Sequence, residues 1–111
     1  LRPGGKPMLV MVPGDRQLDP RLVARAVGAK KVQMAGHKEA EHLTGLLVGG
    51  ISALALLGKG FDIYLDSSAE HFSTIVVSGG QRGVNLRLAV PDLVRVTRAR
   101  LIAASEETEV A

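Results

Sequence analysis

Short apolar blocks separated by polar, glycine-marked or proline-marked breaks run along the whole chain, and their lengths suit strands and short helices. Met8-Leu-Val-Met-Val12 follows the turn-forming Leu1-Arg-Pro-Gly-Gly-Lys-Pro7 and reads as a strand, the second arm of a hairpin whose first arm precedes Leu1. Pro13-Gly14-Asp15 turns the chain. Asp19-Pro20 predicts a helix start, because a capping carboxylate stands before a proline at the first helical position, and Gly28 predicts its end. Leu22, Val23, Ala26 and Val27 form the apolar stripe of that helix. Lys31-Val-Gln-Met-Ala35 reads as a strand, and Gly36 to Leu43 as a short polar helix that Thr44-Gly45 breaks. Phe61-Asp-Ile-Tyr-Leu65 alternates as a half-buried strand and closes on Asp66-Ser67-Ser68, where Asp66 suits a turn or cap better than a general base. Thr74 to Ser78 and Val84 to Leu88 predict two strands joined by the glycine-rich loop Gly79-Gly-Gln-Arg-Gly83. Pro91 to Thr97 predicts a closing helix with Leu93, Val94 and Val96 turned inward, and Leu101 to Ala104 a last strand.

Strands with intervening helices but without regular βαβ spacing predict a single α+β domain, a mixed and largely antiparallel sheet flanked by short helices. The domain is expected to span residues 1–104, with 105–111 an acidic, disordered tail.

One stretch breaks the pattern. Leu43 to Gly58 is uncharged, yet it holds Gly45, Gly49, Gly50, Thr44 and Ser52. It is shorter than the roughly 18 to 20 residues of a membrane span, and its glycines interrupt it. Two readings stay open: a buried strand, turn and second buried segment, or a pocket wall where a ligand approaches the backbone closely.

Composition narrows the functional classes. The chain has 111 residues, 46% of them hydrophobic but only two Phe and one Tyr, so the core is aliphatic and few rings remain for stacking nucleic-acid bases. It contains no cysteine, which excludes a disulfide framework, a zinc ribbon and a cysteine nucleophile, and fits an intracellular, cytoplasmic location. Fourteen basic against eleven acidic side chains give a net charge of +3. That surplus suits solubility and is also compatible with docking an RNA backbone.

Leu18-Asp19, Gly28-Ala-Lys-Lys-Val32, Met34-Ala35, Thr44-Gly45, Val48-Gly-Gly-Ile-Ser52, Asp66, Val77-Ser-Gly-Gly80 and Arg82-Gly83 stand in one order over nearly the whole chain. In that order and spacing they resemble the YbaK family, freestanding aminoacyl-tRNA deacylases related to the editing domain of bacterial prolyl-tRNA synthetases. The resemblance implies a curved sheet and hydrolysis of mischarged tRNA, typically Cys or Ala on tRNA for proline. Aminoacyl-tRNA is the implied partner and prolyl-tRNA synthetase a second one, with no DNA, membrane, metal or cofactor. In that family the Gly-Gly-Ile-Ser segment edges the pocket, and a lysine-threonine pair on the preceding hairpin arm matters for activity; that pair has no counterpart from Leu1 onward, and Lys6 falls at the hairpin tip. The family's Ser-Pro is Ser52-Ala53 here, its aromatic after Thr-Gly is Leu46, and an aspartate frequent after Arg-Gly is Asn85. These departures fit a subgroup with another specificity, or a non-catalytic binding module of the same fold.

The resemblance implies substrate binding by Thr44, Gly45, Gly49, Gly50, Ile51, Ser52, Ser78, Gly79, Gly80 and Asn85, and tRNA contact by Arg82, Lys30 and Lys31. Ester cleavage needs a water or substrate nucleophile and donors for the developing oxyanion; glycine loops expose backbone N–H groups for that purpose with no Cβ in the way. Ser52 and Ser78 lack a nucleophile-elbow context, so positioning is their expected role. His37, His42 and His71 lack metal-ligand spacing and read as surface residues.

Overall fold

The computed structural model describes residues 7–14, 16–46, 51–57, 60–80, 83 and 85–106. A three-stranded sheet organises them: β1 (Met8–Met11), β3 (Asp62–Asp66) and β6 (Arg100–Ile102) in the order β1-β3-β6. Both pairings are parallel, with Met8 opposite Asp62 and Tyr64 opposite Arg100. The antiparallel pairing expected for most of the sheet is confined to two separate ladders. One joins β4 (Thr74–Ser78) to β5 (Asn85–Ala89), and the other joins β2 (Gln17–Leu18) to β7 (Ser105–Glu106). Pairing therefore continues two residues past the expected domain edge at Ala104, and Ser105 is buried.

Parallel placement explains the burial of β3. Ile63, Tyr64, Leu65 and Asp66 are all buried, not alternately half-buried as the pattern suggested, because a central parallel strand is covered on both faces. Ile63 and Leu65 pack with Ala53, Ala69, Val90, Leu93 and Ala99 into the main core cluster. Ile75, Val77 and Leu88 of the β4–β5 ribbon close over that cluster.

Three helices follow their local signals to different degrees. In α1 (Pro20–Val27) the Asp19 carboxylate accepts from the Arg21 N–H at 2.9 Å, and Gly28 closes the helix in the left-handed conformation at φ 74°. Its buried residues are Val23 and Ala24, whereas Ala26 is exposed. Helix α2 (His37–Thr44) ends on a left-handed Gly45, whose N–H donates to the Glu41 carbonyl at 2.9 Å. Helix α3 (Val90–Thr97) buries Leu93 almost completely and half-buries Val94, but Val96 faces solvent at 49% exposure, against expectation. The segment from Lys31 to Ala35 is not a strand; it has no regular secondary structure. Among the described residues, no helix is long and apolar enough to cross a membrane.

Candidate functional site

Separate stretches of chain line an apolar pocket of about 190 Å³: the start of β1 (Pro7–Val10), the irregular segment Val32–Ala35, the inner side of α2 (Ala40, Leu43 and Thr44), Ile51, and Phe61. Leu18 and Val23 complete it from β2 and α1. The local causes are visible in sequence order. The left-handed Gly28 stops α1, the chain then runs without a sheet partner through Val32–Ala35, and α2 starts immediately afterwards, so this segment faces β1 as a wall. Its only polar lining side chains among the described residues are Gln33 and Thr44, and no Asp, Glu, His, Lys or Arg lines it there. Such a pocket suits burial of a small uncharged group, and among the described residues its lining supplies no side-chain acid or base.

The sequence-predicted residues divide into two groups. Thr44 and Ile51 line the pocket. The Thr44 hydroxyl is engaged locally: it donates to the Ala40 carbonyl at 2.8 Å and accepts from the Leu46 N–H at 3.1 Å, bracing the end of α2 where Gly45 turns the chain. Lys30 and Lys31 are exposed on the approach to the wall formed by Val32–Ala35. Ser52, Ser78, Gly79, Gly80 and Asn85 are not part of the lining. Ser52 is buried and accepts from the Leu54 N–H at 3.2 Å, which starts the 3-10 turn Leu54–Leu56. Ser78 accepts from the Gly80 N–H at 3.4 Å and stands opposite the exposed Asn85 at the end of the ribbon. Gly80 has φ 98°, and a Cβ there would lie 3.4 Å from the Ala55 Cβ, so the ribbon tip rests on the turn that follows Ser52. Gly49, Gly50 and Arg82 lie outside the described residues.

Pattern reading missed Val10, Val32, Gln33, Met34 and Phe61 as pocket residues. The one available signal was Met34, an apolar residue 63% exposed in a short unpaired segment. Asp66 is placed as its turn-forming context suggests, away from the pocket lining. It is 2% exposed and accepts from the Ser68 N–H at 3.2 Å, from the Ser68 hydroxyl, and from the Ala104 N–H at 2.9 Å. Burial pushes its pKa up, but the Ser68 hydroxyl and the Ala104 amide outweigh that and hold the carboxyl below its usual range. His42 and His71 are exposed.

Ala53, where the resembling family carries proline, has φ −59°, within the range a proline ring imposes, and among the described residues its N–H makes no hydrogen bond. Ala53→Pro is therefore expected to fold normally and to stabilise the chain by about 0.4–1 kcal/mol by narrowing the unfolded ensemble. Thermal unfolding checks this; a lowered Tm would show that the core around residue 53 has no room for the ring.

Comparison with known proteins gives a consistent picture. The family profile described as "Aminoacyl-tRNA editing domain" matches residues 1–96. A protein of Enterococcus faecalis named "Putative Cys-tRNA(Pro)/Cys-tRNA(Cys) deacylase EbsC" is 36% identical over 94 residues, which cover 85% of this chain and 57% of that protein. Among solved structures, "hypothetical protein APE2540" superposes with a TM-score of 0.78 at 28% identity, covering 87% of this chain and 63% of its own. A structure named "a putative trans-editing enzyme for prolyl tRNA synthetase" gives a TM-score of 0.74 at 26% identity, covering 89% and 62% respectively. The chain thus spans somewhat over half the length of these relatives. With the profile matched across the pocket walls, the β4–β5 ribbon and most of α3, the chain belongs to the aminoacyl-tRNA editing domain family.

Proposed function

We propose that this chain is the pocket-bearing part of an aminoacyl-tRNA deacylase that clears a small, wrongly attached amino acid from tRNA, Cys or Ala on tRNA for proline being the preferred substrates. The observation that carries this reading is the small apolar pocket, with no ionisable lining among the described residues, in a chain of the editing-domain family. A pocket of about 190 Å³ suits a short side chain and disfavours a charged one. The Cys-tRNA deacylase name of the Enterococcus faecalis relative points the same way.

In the proposed reaction, water adds to the acyl carbonyl, the bond from that carbon to the terminal ribose oxygen breaks, and the proton from water passes to the ribose oxygen. The products are a free amino acid and uncharged tRNA. Oriented N–H donors near the carbonyl would hold the transient negative charge, a contribution typically worth about 2.7–4 kcal/mol for a single donor. Ile51 lines the pocket, which supports the reading that the backbone beside it supplies those donors. Substrate hydroxyl or thiol groups then take the part that a side-chain base plays elsewhere. The exposed Lys30 and Lys31, with Arg82, are proposed to meet the tRNA, in the cytoplasm and within reach of prolyl-tRNA synthetase.

Incubation with Cys-, Ala- and Ser-charged tRNA for proline is the direct test. Release of Cys or Ala above the buffer rate supports the proposal, and no release of any of the three overturns it. The absence of an ionisable group from the described lining also fits a non-catalytic module, which would bind these tRNAs without turnover.

A further inference from the structure

The apolar pocket has a larger neighbour. A groove of about 580 Å³ lies at the other side of Phe61, which lines both. Its walls come from the start of β3, the end of α3 and the start of β6, and they carry two exposed arginines, Arg98 and Arg100. Neither arginine has an ion pair or hydrogen bond among the described residues, whereas Arg95 on the same helix is bridged to Asp92 at 3.2 Å. Asp62 is the one carboxylate in the groove wall, and it is already partnered. Leu57 and Val96 add half-exposed apolar ledges.

Arg98 also stands in an unusual conformation. It is the single non-glycine residue with positive φ among the described residues, at φ 57° and ψ 29°, in the helix-ending position where glycine is ordinarily used. Glycine does fill that position after α1 and α2. A side chain retained against that steric preference is a pointer to function.

We propose that this groove holds the sugar-phosphate backbone at the acceptor end of the tRNA whose aminoacyl group occupies the adjacent pocket, with Arg98 and Arg100 on phosphates. Guanidinium groups grip phosphate oxygens in a fixed fork, and the apolar ledges suit ribose or base, a pairing that favours a polynucleotide over inorganic phosphate or an acidic peptide. Phe61 lines both sites, which makes them neighbours in the fold, as an ester-linked acyl group and its nucleotide require. The inference rests on the deacylase reading and goes beyond it by adding Arg98 and Arg100, in a separate groove, to the basic residues proposed to meet the tRNA.

The test compares the protein with Arg98→Gly and Arg100→Gln, using 5′-labelled tRNA for proline in anisotropy titrations across a salt series, alongside hydrolysis of Cys-tRNA. Each substitution is expected to weaken binding roughly three- to tenfold and to lower the slope of log affinity against log salt by about 0.7–1. KM rises while kcat holds, because the phosphate contacts are remote from the ester. Arg98→Gly is expected to keep or raise Tm, since glycine relieves the left-handed backbone, so weaker binding cannot be laid to unfolding. If the unaltered protein neither binds nor deacylates the tRNA, the deacylase reading falls and this inference with it. If the unaltered protein does so and both variants retain its affinity and salt slope, the inference alone is overturned.

Discussion

Asp66→Ala is expected to cost about 3–5 kcal/mol of folding stability, a large part of the roughly 5–15 kcal/mol that a domain of this size possesses. The carboxylate is buried at the end of β3 and takes donors from two places far apart in sequence, Ser68 in the 3-10 turn that follows and Ala104 beyond β6. Ala104 in turn accepts the Asp19 N–H at 2.8 Å, so the same knot holds the residue that caps α1. Removing the carboxylate leaves buried donors without partners, and an unmade buried hydrogen bond costs more than a made one contributes. Because those bonds hold the folded carboxyl below its unfolded value of 3.8, the contribution is complete above that value and is lost as pH falls through the folded pKa. Urea unfolding of the protein and of Asp66→Asn at about pH 7 and again in acid would show it: Asp66→Asn is less stable near neutrality and loses less on acidification through this group. A cost below about 1 kcal/mol for Asp66→Ala would mean that Ala104 and Ser68 find other partners.

The parts of the fold that could be read from the sequence are those whose causes are local. Asp19, Pro20 and Gly28 fix both ends of α1 within the helix itself, and the ribbon of β4 and β5 is announced by two β-rich runs around a glycine loop. The parallel pairing of β3 with β1 and β6 has no such local signature, since its partners lie some fifty and thirty-five residues away and only the continuous burial of Ile63 to Asp66 betrays a central strand. Lys31 to Ala35 carries a strand-like pattern in its alternating Val32 and Met34, but Val32, Gln33, Met34 and Ala35 all line a pocket and the segment pairs with no strand among the described residues. Val96, expected to turn inward, departs for a related reason: it lies at an open groove. Of the residues the family pattern names, Thr44 and Ile51 line the candidate pocket, while Val10, Gln33 and Phe61 come from segments that only tertiary structure brings together. Ser52 and Ser78 carry the family pattern too, yet their hydroxyls accept from backbone amides in their own turns.

Ala35→Leu is expected to convert the pocket's size into a measurable preference. Ala35 is half-buried in the wall opposite β1, with open volume in front of it, so the added methyl groups occupy space that a ligand would otherwise take. Differences of one or a few methylenes in an apolar pocket are worth about 10- to 200-fold in kcat/KM, and the larger acyl group suffers first. Release of Cys should therefore fall by that order while release of Ala falls less, shifting the ratio of the two toward Ala. Stability should hold or rise, because filling a cavity adds apolar contact where overpacking a filled core would add strain. Loss of activity with a lower Tm would trace the effect to misfolding, whereas an unchanged Cys-to-Ala ratio at unchanged Tm would place the acyl group elsewhere. Parallel assays with Cys- and Ala-charged tRNA separate these results, because a general defect in tRNA binding lowers both rates together and only a change in the acyl site alters their ratio.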